Sequence, residues 1–172
     1  MNFTYILPSM FWIFDPKRRA RRLEADRLYT RIAKTALNPV LFQDFGVPDT
    51  LDGRFDITSL FMILAMQNMD KKDSQALFDR FFVGVDRSLR EMGIGDLSVP
   101  RHMKRMMTAF NGRREAYASA LASGNALMLA EAIRRNVYGT VPGVSPETVR
   151  KLTDYVQGQV VGAISDIVRK AA

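Results

Sequence analysis

Apolar residues recur every third or fourth position along most of this chain, and each run of that spacing is broken at Gly, Pro or Asn. Such spacing puts side chains on one face of a helix, whereas a half-buried strand needs strict alternation. The first run covers Arg18 to Leu37, with Leu23, Leu28, Ile32, Ala33, Ala36 and Leu37 at helical intervals. Asn38-Pro39 ends it, because a residue before Pro avoids helical angles. Val40 to Phe45 follows as a short helical turn, and Gly46-Val47-Pro48-Asp49-Thr50-Leu51-Asp52-Gly53 reads as a loop from its Gly, Pro and Asp content. Asp56 then stands as the N-cap of a helix from Ile57 to Met69, in which Leu60 to Met66 are apolar without interruption. A helix apolar on every side belongs at the centre of a bundle.

Asp70 or Asp73 opens the next helix, which carries Leu77, Phe78, Phe81, Phe82, Val85, Leu89 and Met92 within one arc and stops at Gly93. Ser98 is the expected cap of the one after it, with Pro100 in the first turn, Met103, Met106, Met107 and Phe110 on its apolar face, and Gly112 as its end. Further helical runs cover Glu115 to Ala122, Asn125 to Tyr138, and a stretch opened by Ser145-Pro146 and continuing toward Val168 through Val149, Leu152, Val156, Val160, Ala163, Ile164 and Ile167. The predicted fold is all-α, a single-domain bundle of about seven helices around the buried helix Ile57 to Met69. Residues 18–172 form this helical domain, and residues 1–17 form an apolar N-terminal segment ahead of it.

Composition removes several function classes. There is no Cys, so neither a disulfide framework nor a thiolate nucleophile is available, and His102 is the one histidine. A His-based metal site or a His-dependent triad would have to be built from a single imidazole. Gly93-Ile94-Gly95-Asp96 lacks the third glycine and preceding strand of a dinucleotide fingerprint and reads as a turn. Asp49 and Asp52 offer too few oxygen ligands for calcium, and Asp79 and Asp86 share a helix without an evident pocket. No catalytic residue, metal ligand or cofactor is predicted, and the expectation is a protein that is not an enzyme.

The net charge of +7 is unevenly placed. Lys17, Arg18, Arg19, Arg21 and Arg22 against Asp15 make the first 22 residues +4, the span Arg87 to Arg114 is +5, and the remainder is −2. Two basic regions on a slightly acidic body suit partners that carry negative charge, such as nucleic acid, anionic lipid or acidic protein segments. The first region follows an apolar stretch that includes Phe11, Trp12 and Phe14. Three readings of that end stand side by side: a membrane-surface contact through Phe11, Trp12, Phe14, Lys17, Arg18, Arg19, Arg21 and Arg22, a frayed terminus, or an extension upstream of a start at Met10. Its basic residues lie after the apolar run, the reverse of a secretory signal, and Pro8 interrupts a run far short of the roughly 20 residues that span a bilayer.

In the second basic region the helix after Ser98 separates its faces. Arg101, Lys104 and Arg105 project opposite Met103, Met106, Met107 and Phe110. One reading is an ordinary amphipathic helix; the other is an adaptable Met surface with a basic rim. Packed side by side, the two helices would bring Arg80, Arg90, Arg101, Lys104, Arg105 and Arg113 onto one positive surface. The full candidate surface adds Arg87, Gly93, Gly95, Asp96 and Met107 to these.

Leu77-Phe78-Asp79-Arg80-Phe81-Phe82, Asp86 through Leu97, Lys104-Arg105-Met106 and Ala109 through Arg113 together resemble the ubiquinol-cytochrome c chaperone family, as does Gly46 through Asp56 before the central helix. The resemblance extends from about Leu28 to Gly124. Val83-Gly84-Val85 and Asn111 depart from it, where acidic and aromatic character respectively are expected. It implies an all-α, non-enzymatic assembly factor, of bacterial type, for the cytochrome bc complex. The implied client is newly made cytochrome b, met in the cytoplasm at the inner face of the inner membrane, with the ribosome and the anionic membrane surface as further contacts. The alternative is a basic all-α nucleic-acid-binding protein using the Pro100 to Arg114 helix, although the Gly93 to Ser98 connection does not suit a specific DNA reader.

Overall fold

The chain is seen in a computed structural model that describes residues 15–67 and 69–159. These form six long helices and one short one: α1 (Pro16–Ala36), α2 (Pro39–Gln43), α3 (Leu51–Met66), α4 (Lys71–Glu91), α5 (Val99–Ala122), α6 (Ala126–Val137) and α7 (Pro146–Gln159). No strand occurs among the described residues. The all-α expectation therefore holds, and the part of the last run from Val160 onward lies outside the described residues.

The uninterrupted apolar run forms the centre. Every residue of α3 from Ile57 to Ala65 is buried, and α1, α4, α5 and α6 all pack against it. The helix begins earlier than expected, at Leu51 rather than after Asp56. Thr50 is its cap, the hydroxyl accepting the Gly53 N–H at 3.1 Å, and Asp52 favours the positive end of the helix. Gly53 looks like a loop residue in the sequence, yet it is helical, and it is buried because the Pro48 backbone folds against it. A Cβ there would stand 2.0 Å from the Pro48 carbonyl oxygen.

α4 closes over α3 with its Phe face. Phe81 stacks on Phe55 of α3 at 5.7 Å between ring centroids, and Phe78, Phe81 and Phe82 all meet Phe110 of α5 at 5.4 to 5.8 Å. Of the arc expected to be buried, Phe78 is half-buried and Met92, past the end of the helix, is exposed. Gly84, on the α1 side, admits the Tyr29 hydroxyl, which a Cβ would meet at 2.2 Å. This contact accounts for the small residue in the Val83-Gly84-Val85 departure.

α5 is one helix where two were expected, because Gly112 does not end it. A helical Gly costs about 1 kcal/mol relative to Ala. Here Phe110 and Tyr117, both fully buried, hold the helix on either side of it. At the start of α5 the Ser98 backbone is already helical and its side chain makes no capping bond. The other caps follow the usual chemistry: Asp15 for α1, Asn38 for α2, Asp70 for α4, Asn125 for α6 and Ser145 for α7. With Asp15 as cap, α1 starts at Pro16, two residues before the expected beginning.

Three substitutions test this packing by urea unfolding. Gly112→Ala, with open space around the new methyl, should raise stability by about 0.5–1 kcal/mol. Gly53→Ala should lower it by about 1–3 kcal/mol through overpacking, and Phe110→Ala by about 3–5 kcal/mol through the cavity it leaves. A destabilising Gly112→Ala would mean that α5 is not continuous through that residue.

Candidate functional site

The connection between α4 and α5 is a fixed turn. Gly93 takes φ +80°, its N–H donates to the Arg90 carbonyl at 2.9 Å, and the Ile94 N–H donates to the Leu89 carbonyl at 3.1 Å. This pair of bonds is a Schellman ending, completed by half-buried Ile94 packing on the core. The Gly95 carbonyl then accepts from Ser98 and Val99 to launch α5. Arg90 braces the turn from α4 by pairing with Asp86 at 2.8 Å and with Asp96. At the tip Leu97 is 99% exposed, and Met92 beside the turn is 51% exposed.

From this turn the outer face of α5 carries Arg101, Lys104 and Arg105, all exposed, with Met107 also reaching solvent. Arg105 lies 4.0 Å from Asp52 of α3, and Arg87 of α4 pairs with Glu91 at 2.8 Å. Arg101 and Lys104 make no ion pair among the described residues. The structure thus brings together Arg87, Arg90, Gly93, Gly95, Asp96, Arg101, Lys104, Arg105 and Met107 around the turn and the first half of α5. The rest of the expected Met face is core: Met106 and Phe110 are buried and Met103 is half-buried.

Arg80 and Arg113 do not join that surface. Arg80 belongs to the seam with α1, where it pairs with Asp26 and covers the Tyr29 ring at 4.6 Å. Arg113 points inward because it stands seven residues from Met106 and three from Phe110, which is the buried side of the helix. Its side chain is only 18% exposed; it pairs with Asp56 and lies 5.6 Å from the Phe55 ring centroid. The expected six-residue positive surface is therefore divided among three places.

The Asp56–Arg113 pair opens a polar seam between α3 and α5 that sequence reasoning missed by taking Asp56 as a cap. Burial pushes the Asp56 carboxyl up to about 7, with the Arg113 guanidinium pulling it down and the Asp52 carboxylate adding to the rise. Tyr117, one turn beyond Arg113, is fully buried, and burial pushes its phenol up. The Ser59 hydroxyl and Arg113 Nε have no hydrogen-bond partner among the described residues. A buried polar seam of this kind is sensitive to protonation.

The first basic region occupies the opening turns of α1. Arg18, Arg21 and Arg22 border an open groove of about 910 Å³ facing α4, with Arg21 held to Asp73 at 2.7 Å. Lys17 and Arg19 are exposed, and Phe11, Trp12 and Phe14 lie outside the described residues. A smaller, mainly apolar cleft of about 340 Å³ runs between α1, α3 and α4 past Tyr29, Phe55 and Met92. Among the described residues no three acidic or histidine side chains gather as metal ligands, and no helix is long and apolar enough to cross a membrane.

Residues 43–167 match the ubiquinol-cytochrome C chaperone family. The chain is also similar to the crystal structure of the Cbp3 homolog from Brucella abortus, at 33% identity and a TM-score of 0.68, over 86% of this chain and 84% of that one. No curated protein matches.

The polar seam predicts a pH dependence of stability. An acid whose pKa is raised in the folded state binds its proton more tightly there than when unfolded. The Asp56 contribution is therefore full below about pH 4, the ordinary carboxyl range, and is lost as the pH rises to about 7. Urea midpoints of the wild type should fall across that window relative to Asp56→Asn, which has no proton to release. Parallel pH profiles for the two proteins would rule out titration of this carboxyl.

Proposed function

Because the chain belongs to the ubiquinol-cytochrome c chaperone family, we propose that it serves assembly of the cytochrome bc complex as a non-enzymatic holder of newly made cytochrome b, working in the cytoplasm against the inner face of the inner membrane. The observation that carries this reading is the exposed turn around Leu97, with Met92 beside it, Arg101 and Lys104 on the first turns of α5 and Met107 exposed further along that helix. Leucine exposed on a rigid turn costs the free protein little and is ready to be covered. Covering apolar surface gives about 25 cal/mol per Å², and unbranched Met side chains adapt to irregular partners. The two cations at the border keep the surface soluble and attract acidic groups that flank an apolar segment.

Holding needs no bond chemistry. A newly made membrane protein exposes helices whose apolar faces have no partner in water, and a chaperone lowers the concentration of that state by binding it. The Schellman ending and the Arg90 bridges keep the turn from collapsing onto its own core when unoccupied. Binding is thereby limited mainly by desolvation, with little ordering cost on the chaperone side.

A photoreactive side chain placed at Leu97 or Met107 should crosslink to cytochrome b in growing cells, and the same group at Glu115 on the far part of α5 should not. Leu97→Asp combined with Arg101→Glu and Lys104→Glu should lower the level of cytochrome bc complex while leaving the unfolding free energy measured in urea within about 0.5 kcal/mol per site, since all three are exposed. Unchanged complex levels after deletion of the gene would overturn the reading.

A further inference from the structure

The groove between α1 and α4 is bordered by six cations: Arg18, Arg21 and Arg22 on one wall, and Lys71, Lys72 and Arg80 on the other. Arg21 and Arg80 are committed to Asp73 and Asp26 across the seam, and so fix the spacing of the walls. Arg22, Lys71 and Lys72 are exposed and take part in no ion pair among the described residues. The fold thus gathers cations about 50 residues apart in the chain around one opening, three of them in no salt bridge among the described residues.

We infer that this groove docks onto the phosphate headgroups of an anionic phospholipid surface. The inference rests on the reading of the protein as a chaperone that works against the membrane, and gives that contact a defined site. Val83, 61% exposed, borders the groove on α4 and offers an apolar contact at the interface. Asp15, the cap of α1, also borders it.

Two features weigh against a nucleic-acid strand in the same place. Among the described residues no aromatic ring lines the groove to stack a base, and the Tyr29 ring behind it is covered by the Arg80 guanidinium. Asp15, Asp26 and Asp79 also interrupt the cations, which breaks a track for successive backbone phosphates. A headgroup layer is mobile and can match its phosphates to Arg22, Lys71 and Lys72 while leaving the carboxylates to water.

The test is co-sedimentation of the full chain with vesicles of phosphatidylcholine, alone or mixed with phosphatidylglycerol. The wild type should bind the mixed vesicles and not the neutral ones. Arg22→Glu with Lys71→Glu and Lys72→Glu should weaken that binding on the order of a hundredfold, since each basic side chain at an anionic surface contributes a factor of about five. Acidic residues are favourable in the first turn of α4, so circular dichroism should show an intact fold. The control, Arg101→Glu with Lys104→Glu and Arg105→Glu, makes the same change of charge on α5 and should keep binding within about threefold. Equal loss in both variants, or no loss in the groove variant, overturns the inference. So does absence of vesicle binding together with ribosomal RNA binding that the groove variant abolishes. Purified protein and lipid contain no client, so these outcomes are separate from the cytochrome bc level that tests the chaperone reading.

Discussion

Burying a helix that is apolar on every side is the constraint on which the rest of this structure depends. From Ile57 to Ala65 α3 offers no polar stripe to water, so α1, α4, α5 and α6 must all supply an apolar face to it. The rings of Phe55, Phe81, Phe82 and Phe110 are the joint at which three of these helices meet. Close packing there permits little adjustment, and small residues stand where backbones or side chains approach: Gly53 under Pro48, and Gly84 under Tyr29.

That arrangement also explains the polar seam. Once α5 is anchored by Phe110 and Tyr117, helical spacing leaves Arg113 on the inner side, and Asp56 of α3 is its counterion. Taking both charges from water costs free energy that the pair only partly returns, which is why the carboxyl is held near neutrality in its proton affinity. The seam ties the orientation of α5 to that of α3. The outer cations of α5 therefore face solvent as a consequence of what its inner face must bury.

The two basic regions of the chain have different structural fates. The later one, apart from the inward Arg113, is spread along the turn and the outer side of α5, on which Leu97 and Met107 are also exposed. The earlier one becomes a wall of a groove whose other wall comes from α4. A protein that holds an apolar segment and also meets a charged surface benefits from keeping these contacts on separate faces, so that occupancy of one does not block the other.

Helical periodicity, the Asp70 and Ser145 caps and the turn at Gly93 were legible because they depend on neighbours within a few positions, whereas Asp56 and Ser98 do not cap as expected, and the all-α class with its central helix followed from the periodicity. The family resemblance was legible too, since it lies in ordered residues. Single-residue rules erred in two ways: Gly112 is helical because buried aromatics hold the helix on either side of it, and Gly53 is helical because Thr50 caps α3 ahead of it, its missing side chain leaving room for Pro48. Of the candidate surface, the turn and the Arg101 to Met107 stretch were readable from amphipathic spacing, whereas the places of Arg80 and Arg113 were not. Sequence determined which residues are charged and which face of each helix they share. Tertiary structure alone decided which charges meet, because ion pairing and burial are set by separation in space, and Arg113 finds Asp56, and Arg22 finds Lys71 and Lys72, only after α3 has drawn its neighbours around itself.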